Sequence, residues 1–250
     1  MKFIDIPNIP EEKVVLAIVD GRISDNLGKG LTANGIQIIK TKLHPSLYSS
    51  VAFHPDMFLH HIGGKSIIYA PGTSKETIME LERYGFQLIR GETKLTNKYP
   101  GNISYNAARV GRFVFHNTNY TDSILKKFYL ELDVELVHVN QGYAKCAISV
   151  VDENSIITMD RGIAKIAEKK GLDVLVVEET NILLKGLDYG FIGGSTGLVG
   201  KNIWAVAGNF ETLESSLKIK EFLYNKDKKI ISLSDQQVVD IGSIIPICSY

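Results

Sequence analysis

The sequence predicts a single α/β domain over residues 1–250, a five-bladed pseudo-symmetric propeller closed by pairing of its N- and C-terminal strands. Three observations predict it. A complete hairpin–helix–strand unit is legible between Gln141 and Glu178. The same order recurs at Met57–Ile89, Tyr105–Val139 and Phe191–Leu233, with Lys65, Arg112, Ser155 and Asn202 opening the second hairpin strands at separations of 47, 43 and 47 residues. The chain ends hold the two parts of a fifth unit, whose assembly would close a ring and hide the edge strands that an open array exposes.

In chain order, the apolar run Lys13–Val19 reads as a strand, Ile23–Ala33 as a weak, glycine-containing helix, and Ile36–Ile39 as the strand that follows. Next comes a hairpin ending in Lys65–Tyr69, then a helix with Thr73 and Glu76 as a capping box, Ile78, Met79 and Leu81 on one face, and Gly85 as its stop. After Phe113–Phe115, Thr121 can cap a helix carrying Ile124, Leu125, Phe128 and Tyr129. Lys145–Val151 alternates like a strand, Asp152-Glu153-Asn154 is turn chemistry, and Ser155–Met159 completes the hairpin. Ile163, Ile166 and Ala167 then share a helix face, Gly171 ends it, and Leu172–Val177 reads as a buried strand. After Ile203–Val206, Asn209 can cap a helix carrying Leu213, Leu217 and Phe222, and Gln237–Cys248 reads as the first hairpin strand of the fifth unit.

Composition narrows the classes of function. Hydrophobic residues make up 44% of the 250, enough for one large core and unlike a disordered chain. Lys plus Arg and Asp plus Glu both number 28, so no net charge favours nucleic acid as a partner. Met1-Lys2-Phe3-Ile4 runs straight into Asp5, Pro7 and Pro10, which is not a secretory signal, and no apolar run is long enough to span a bilayer. A cytoplasmic protein without membrane attachment is expected. Two cysteines lack disulfide or metal-binding spacing, and Cys146 reads as a small buried hydrophobe. His60 and His61 are adjacent and face opposite ways on a strand, so no metal and no cofactor is expected. The glycine-rich GFIGGSTGLVGK stretch precedes a hairpin strand rather than a helix, so it reads as tight packing and not as a phosphate loop.

Five hairpin–helix–strand units, with a C-terminal GSIIPIC segment preceded by Asp240, resemble the pentein, or guanidine-modifying, superfamily. The motifs HPDMF, GNISYN, NQGYAKC, DYGFIGGSTG and DIGSIIP resemble a clostridial-type branch of it. The resemblance covers nearly the whole chain. It implies a cysteine nucleophile near the C-terminus, a histidine acid/base and carboxylates that hold a planar cation.

This chain departs from that pattern at several positions. The position of the family's cysteine falls on Pro246, and Cys248 lies two residues farther on the same face of an extended strand. Where relatives carry Gly-His-x-Asp or Gly-His-x-Glu, this chain has Tyr189-Gly190-Phe191-Ile192-Gly193-Gly194. Gln141-Gly142-Tyr143 replaces Glu-Gly-Gly, and Ser104-Tyr105-Asn106 stands where Arg-Asp is usual. The resemblance therefore implies the fold while leaving the hydrolase triad incomplete.

A ring of polar residues remains at the start of each unit's first strand: His54 and Asp56, then Asn102, Tyr105 and Asn106, then Gln141, Tyr143 and Lys145, then Asp188 with Tyr189, then Asp240 and Ser243. Such convergence predicts a central cavity for a small polar ligand. A lysine facing inward from a core strand needs an anion, and Asp240 could supply it. Two other functions stay open. One is a divergent amidine- or guanidine-modifying hydrolase or transferase with Cys248 as nucleophile and His54 as acid/base. The other is a non-catalytic protein-interaction module, as the ribosome anti-association factor resembles this ring without its triad.

Overall fold

The computed structural model describes all 250 residues, and its order of elements follows the repeat. The chain begins with β1 (Lys2–Phe3), β2 (Val14–Val19), α1 (Asp25–Ala33) and β3 (Gln37–Lys40). The first complete unit is α2 (Pro55–Phe58), β4 (Leu59–Gly63), β5 (Ser66–Tyr69), α3 (Lys75–Arg83) and β6 (Gln87–Arg90). The second is β7 (Ala108–Val110), β8 (Phe113–His116), α4 (Ser123–Glu131) and β9 (Glu135–His138). The third is α5 (Ala144–Ala147), β10 (Ile148–Asp152), β11 (Ser155–Thr158), α6 (Arg161–Lys169) and β12 (Asp173–Val176). The fourth is β13 (Thr196–Gly200), β14 (Ile203–Val206), a 3₁₀ turn (Phe210–Thr212), α7 (Ser216–Tyr224) and β15 (Lys229–Ser232), and β16 (Ile245–Ser249) ends the chain.

Each unit is a small sheet in which the first two strands pair antiparallel and the third pairs parallel to the second. The helix is the crossover that a parallel pair requires. The fifth sheet has the order β1-β16-β2-β3, with Ile245 opposite Ile18 and Pro246 opposite Ala17, so the two ends of the chain meet as neighbouring strands. The closed five-bladed arrangement predicted from the sequence is therefore present. No helix is long and apolar enough to cross a membrane.

The repeat extends to the caps. Ser24, Ser74, Asp122 and Asp160 cap α1, α3, α4 and α6 by accepting a backbone N–H of the first turn. The caps predicted at Thr73 and Thr121 shift by one residue, because Thr73 Oγ1 donates to Ala70 O and Thr121 Oγ1 engages His116. Asn209 caps the 3₁₀ turn and not α7. Just past the helices, Gly35, Gly85 and Gly171 adopt φ of 78°, 89° and 83°, Asp133 takes the same left-handed position after α4, and Asp227 does so one residue farther along after α7.

Several expected strands begin later than the apolar pattern implies, and Gln237–Cys248, read as one strand, is a strand only from Ile245 onward. Pro55–Phe58 and Ala144–Ala147 each wind into one helical turn before their strands start. His54 and Asp56 thus do not share a strand face, and the polar spacing of Gln141, Tyr143 and Lys145 is not a strand alternation. In both places the turn lies where the chain leaves the ring axis, and a helical turn aims successive side chains in different directions.

Candidate functional site

All five units place a residue at one buried point. Asp56 comes from α2, Asn106 from the segment before β7, Lys145 and Cys146 from α5, Gly193 from the segment before β13, and Ser243 from the segment before β16. Lys145 Nζ donates to Ser243 Oγ at 2.8 Å. The Ser243 hydroxyl, with one proton to give, lies 3.0 Å from Asp56 Oδ2 and 2.9 Å from Gly193 O. The Cys146 thiol donates to Asp56 Oδ2 at 3.2 Å, and Asn106 Oδ1 accepts the Lys145 backbone N–H at 2.9 Å. Ser243 is held at φ 75°, a region that a side-chain-bearing residue adopts only when its surroundings fix it.

Burial controls the electrostatics of this hub. It lowers the Lys145 pKa, against the Asp56 carboxylate, which favours the ammonium. It pushes the Cys146 thiol well up, and the neighbouring Asp56 and Asp240 carboxylates push it further. Cys146 is therefore a protonated hydrogen-bond donor and not a thiolate. Lys145 donates to Ser243 and interacts through space with Asp56 and also with Asp240, the partner expected from the sequence, whose own hydrogen bonds are to the Phe191 and Gly242 backbone N–H groups. The middle of the ring is filled by these side chains, and the void beside Asp56 and Lys145 is only about 20 Å³.

The open cavity lies next to the hub, at the end of β2 and the start of α1. It has a volume of about 740 Å³ and is lined by Asp20, Arg22, Ser24, His54, Lys185 and Asp240 among others. That size suits a small molecule. His54 forms its floor between two carboxylates, with Nε2 3.6 Å from Asp20 Oδ2 and Nδ1 3.7 Å from Asp240 Oδ1. Both contacts are too long for hydrogen bonds. His54 is 1% exposed, and its Nδ1 is the only buried side-chain polar atom lining the cavity that has no hydrogen-bond partner. Asp240 is fixed by the backbone N–H groups of Phe191 (2.9 Å) and Gly242 (3.0 Å), and burial raises its pKa against the pull of His54.

The structure disperses several residues that the sequence grouped. Asn102 Nδ2 donates to Tyr143 OH at 2.9 Å, near the hub, and Tyr143 also neighbours the half-buried Tyr48. Tyr105 turns away, donating toward Thr93 O and Asp122 Oδ2 at the start of α4. Gln141 binds Asp160 Oδ2 at 3.1 Å and lines a separate groove. Asp188 and Tyr189 are exposed in the connection between β12 and β13. Cys248 lies in β16 opposite Phe3 and Leu16, fully buried in the aliphatic core, where burial lifts its pKa to about 11. The irregular register of β16 between Pro246 and Cys248 undoes the shared face that alternation implies, so the thiol packs into the core and is absent from the cavity lining.

Asp20, Arg22 and Cys146 were not among the sequence-predicted site residues. Asp20 had a legible signal: it directly follows the apolar strand Val14–Val19, and ligand sites in parallel units lie beyond the carboxyl ends of strands.

A family model described as a family of unknown function (DUF6873) matches residues 18–245. No curated protein matches the sequence. Among solved structures, SxtG, an amidinotransferase of the saxitoxin biosynthetic pathway from Microseira wollei, is 13% identical, with 92% of this chain and 91% of that chain covered and a TM-score of 0.58. The inosamine-phosphate amidinotransferase of Streptomyces griseus is 11% identical, covering 94% and 92% with a TM-score of 0.57. The agmatine deiminase of C. jejuni is 10% identical, covering 93% and 90% with a TM-score of 0.57. At such identities the likeness is one of fold, and that fold is the pentein propeller.

Proposed function

The chain belongs to the DUF6873 family, a family of unknown function, and from that premise we propose that it binds a small polar ligand non-covalently in the cavity over His54 and Asp240. The observation that supports this most is the partnerless, buried His54 Nδ1 at the cavity floor. A buried ring nitrogen without a partner costs about 1–3 kcal/mol, a cost that a ligand's donor or acceptor would relieve once a small shift of the His54 ring brings Nδ1 to the cavity surface. With Asp240 beside His54 and the Asp20 oxygens already engaged by Arg22, the floor suits a ligand that offers a hydrogen-bonding cation such as an amine or amidine toward Asp240.

The reading is non-covalent because no activated nucleophile faces the cavity. Cys248 sits in the core with a raised pKa, and Cys146 is locked as a donor to Asp56. The fold shared with amidinotransferases and an agmatine deiminase supports amidine- and guanidine-bearing molecules as the first class to test.

The test is a thermal-shift screen of amines, amidines, guanidines, amino acids and nucleotides. At about 100 times Kd a ligand should stabilise the fold by about 2.7 kcal/mol, and His54→Ala should remove that gain. If no compound shifts the midpoint, or if the gain survives in His54→Ala, the cavity is not the binding site.

A further inference from the structure

Arg22 is held as a bound guanidinium would be. Its Nε and Nη2 donate to Asp20 Oδ1 (3.1 Å) and Oδ2 (2.6 Å), a bidentate carboxylate contact. Nη1 donates to Ser49 O at 2.7 Å, and Nη2 also donates to Ser50 O at 2.9 Å. The guanidinium carbon lies 4.8 Å from the centre of the Phe53 ring. The cradle consists of one carboxylate, two carbonyls and an aromatic face, and only one guanidinium N–H is left without a partner.

The backbone prepares this arrangement. A Cβ at Gly21 would come 2.0 Å from Thr41 O, so only glycine lets the chain turn there and bring Arg22 back over Asp20. Asp20 is 3% exposed, so its carboxylate cannot depend on water for compensation. Arg22 and Asp20 both line the cavity, and the cradle forms one wall of it.

We propose that Asp20, the Ser49 and Ser50 carbonyls and the Phe53 ring form a guanidinium-binding site that the chain fills with its own Arg22, which thereby excludes free guanidines from this half of the cavity. Arg22 is then a specificity determinant: a ligand reaches His54 and Asp240, while the acceptors on Asp20 are already taken. This inference does not depend on which ligand the His54 floor accepts.

The experiment compares the wild-type protein with Arg22→Ala, using ethylguanidinium and ethylammonium chloride at equal millimolar concentrations and reading the melting midpoint and binding heat. Because Asp20 also flanks His54, the comparison is repeated with His54→Ala in both proteins, so that the difference within that pair reports on the Arg22 cradle. Arg22→Ala should gain a guanidinium-selective response, with ethylguanidinium bound about tenfold more tightly than ethylammonium, and a second change, Asp20→Asn, should abolish it. Should Arg22→Ala not fold alone, its refolding yield in the two salts is the readout, and a higher yield in ethylguanidinium supports the proposal. Equal responses to the two cations, or a selective gain that persists with Asp20→Asn, would overturn it.

Discussion

Lys145 Nζ lies 2.8 Å from Ser243 Oγ, a contact across 98 residues of sequence that joins the third unit to the fifth at the ring axis. Through Ser243 the Lys145 side chain is linked to Asp56 of the first unit, so one buried lysine–aspartate pair bridged by a hydroxyl ties three blades together.

Breaking that pair on one side leaves an uncompensated buried charge. Lys145→Met should destabilise the protein by about 3–5 kcal/mol, while the double change Lys145→Met with Asp56→Leu should recover much of the loss. Urea unfolding of the two variants checks this. Equal destabilisation of the single and double variants would show that Asp56 holds the fold by its bonds to Ser243 and Cys146 and not by charge.

Neither thiol should behave as a nucleophile. With Cys248 raised to about 11 and Cys146 pushed well above the ordinary thiol range, both should react with a thiol reagent at pH 7.5 far more slowly than free cysteine, and both should react on unfolding. Mass spectrometry of the native protein reads this directly. Rapid labelling of Cys248 alone would reinstate it as a candidate nucleophile.

Stability should fall in mild acid. Burial depresses His60 to about 3 and His61 and His116 to about 4, against 6.5 for an exposed histidine. Below pH 6.5 the unfolded chain binds protons that the folded chain refuses, so stability present above 6.5 is lost as the pH drops toward 4. Each histidine contributes up to about 1.4 kcal/mol per pH unit in that window, or about 4 kcal/mol per unit for the three. Urea midpoints measured from pH 7 to 4.5 test the slope, which should flatten in His116→Asn.

Gly194 is a sensitive point of the cavity floor. An added Cβ there would lie 2.1 Å from Asp240 Oδ1, so Gly194→Ala must push the Asp240 side chain aside and loosen its hold beside His54. The variant should lose ligand-induced stabilisation while keeping its helical circular dichroism. Retention of full ligand response would place the binding groups elsewhere.

Much of the fold was legible in the sequence, because hydrophobic periodicity, caps and left-handed stops are local properties of each unit. Gly85 and Gly171 announced the helix ends, and the even spacing of Lys65, Arg112, Ser155 and Asn202 announced the repeat. The need to pair the strand read at Lys13–Val19 with that read within Gln237–Cys248 followed from the repeat, and the structure pairs Val14–Val19 with Ile245–Ser249. Less of the site was legible. The sequence placed His54, Asp56, Asn106, Lys145, Asp240 and Ser243 near the axis, yet only the tertiary structure decided that Lys145 meets Ser243, that His54 lies between Asp20 and Asp240, and that Cys248 packs inward. The physical reason is one of precision: burial patterns repeat every two or 3.6 residues along the chain, whereas hydrogen bonds between units depend on ångström-scale placement that single helical turns and strand irregularities set.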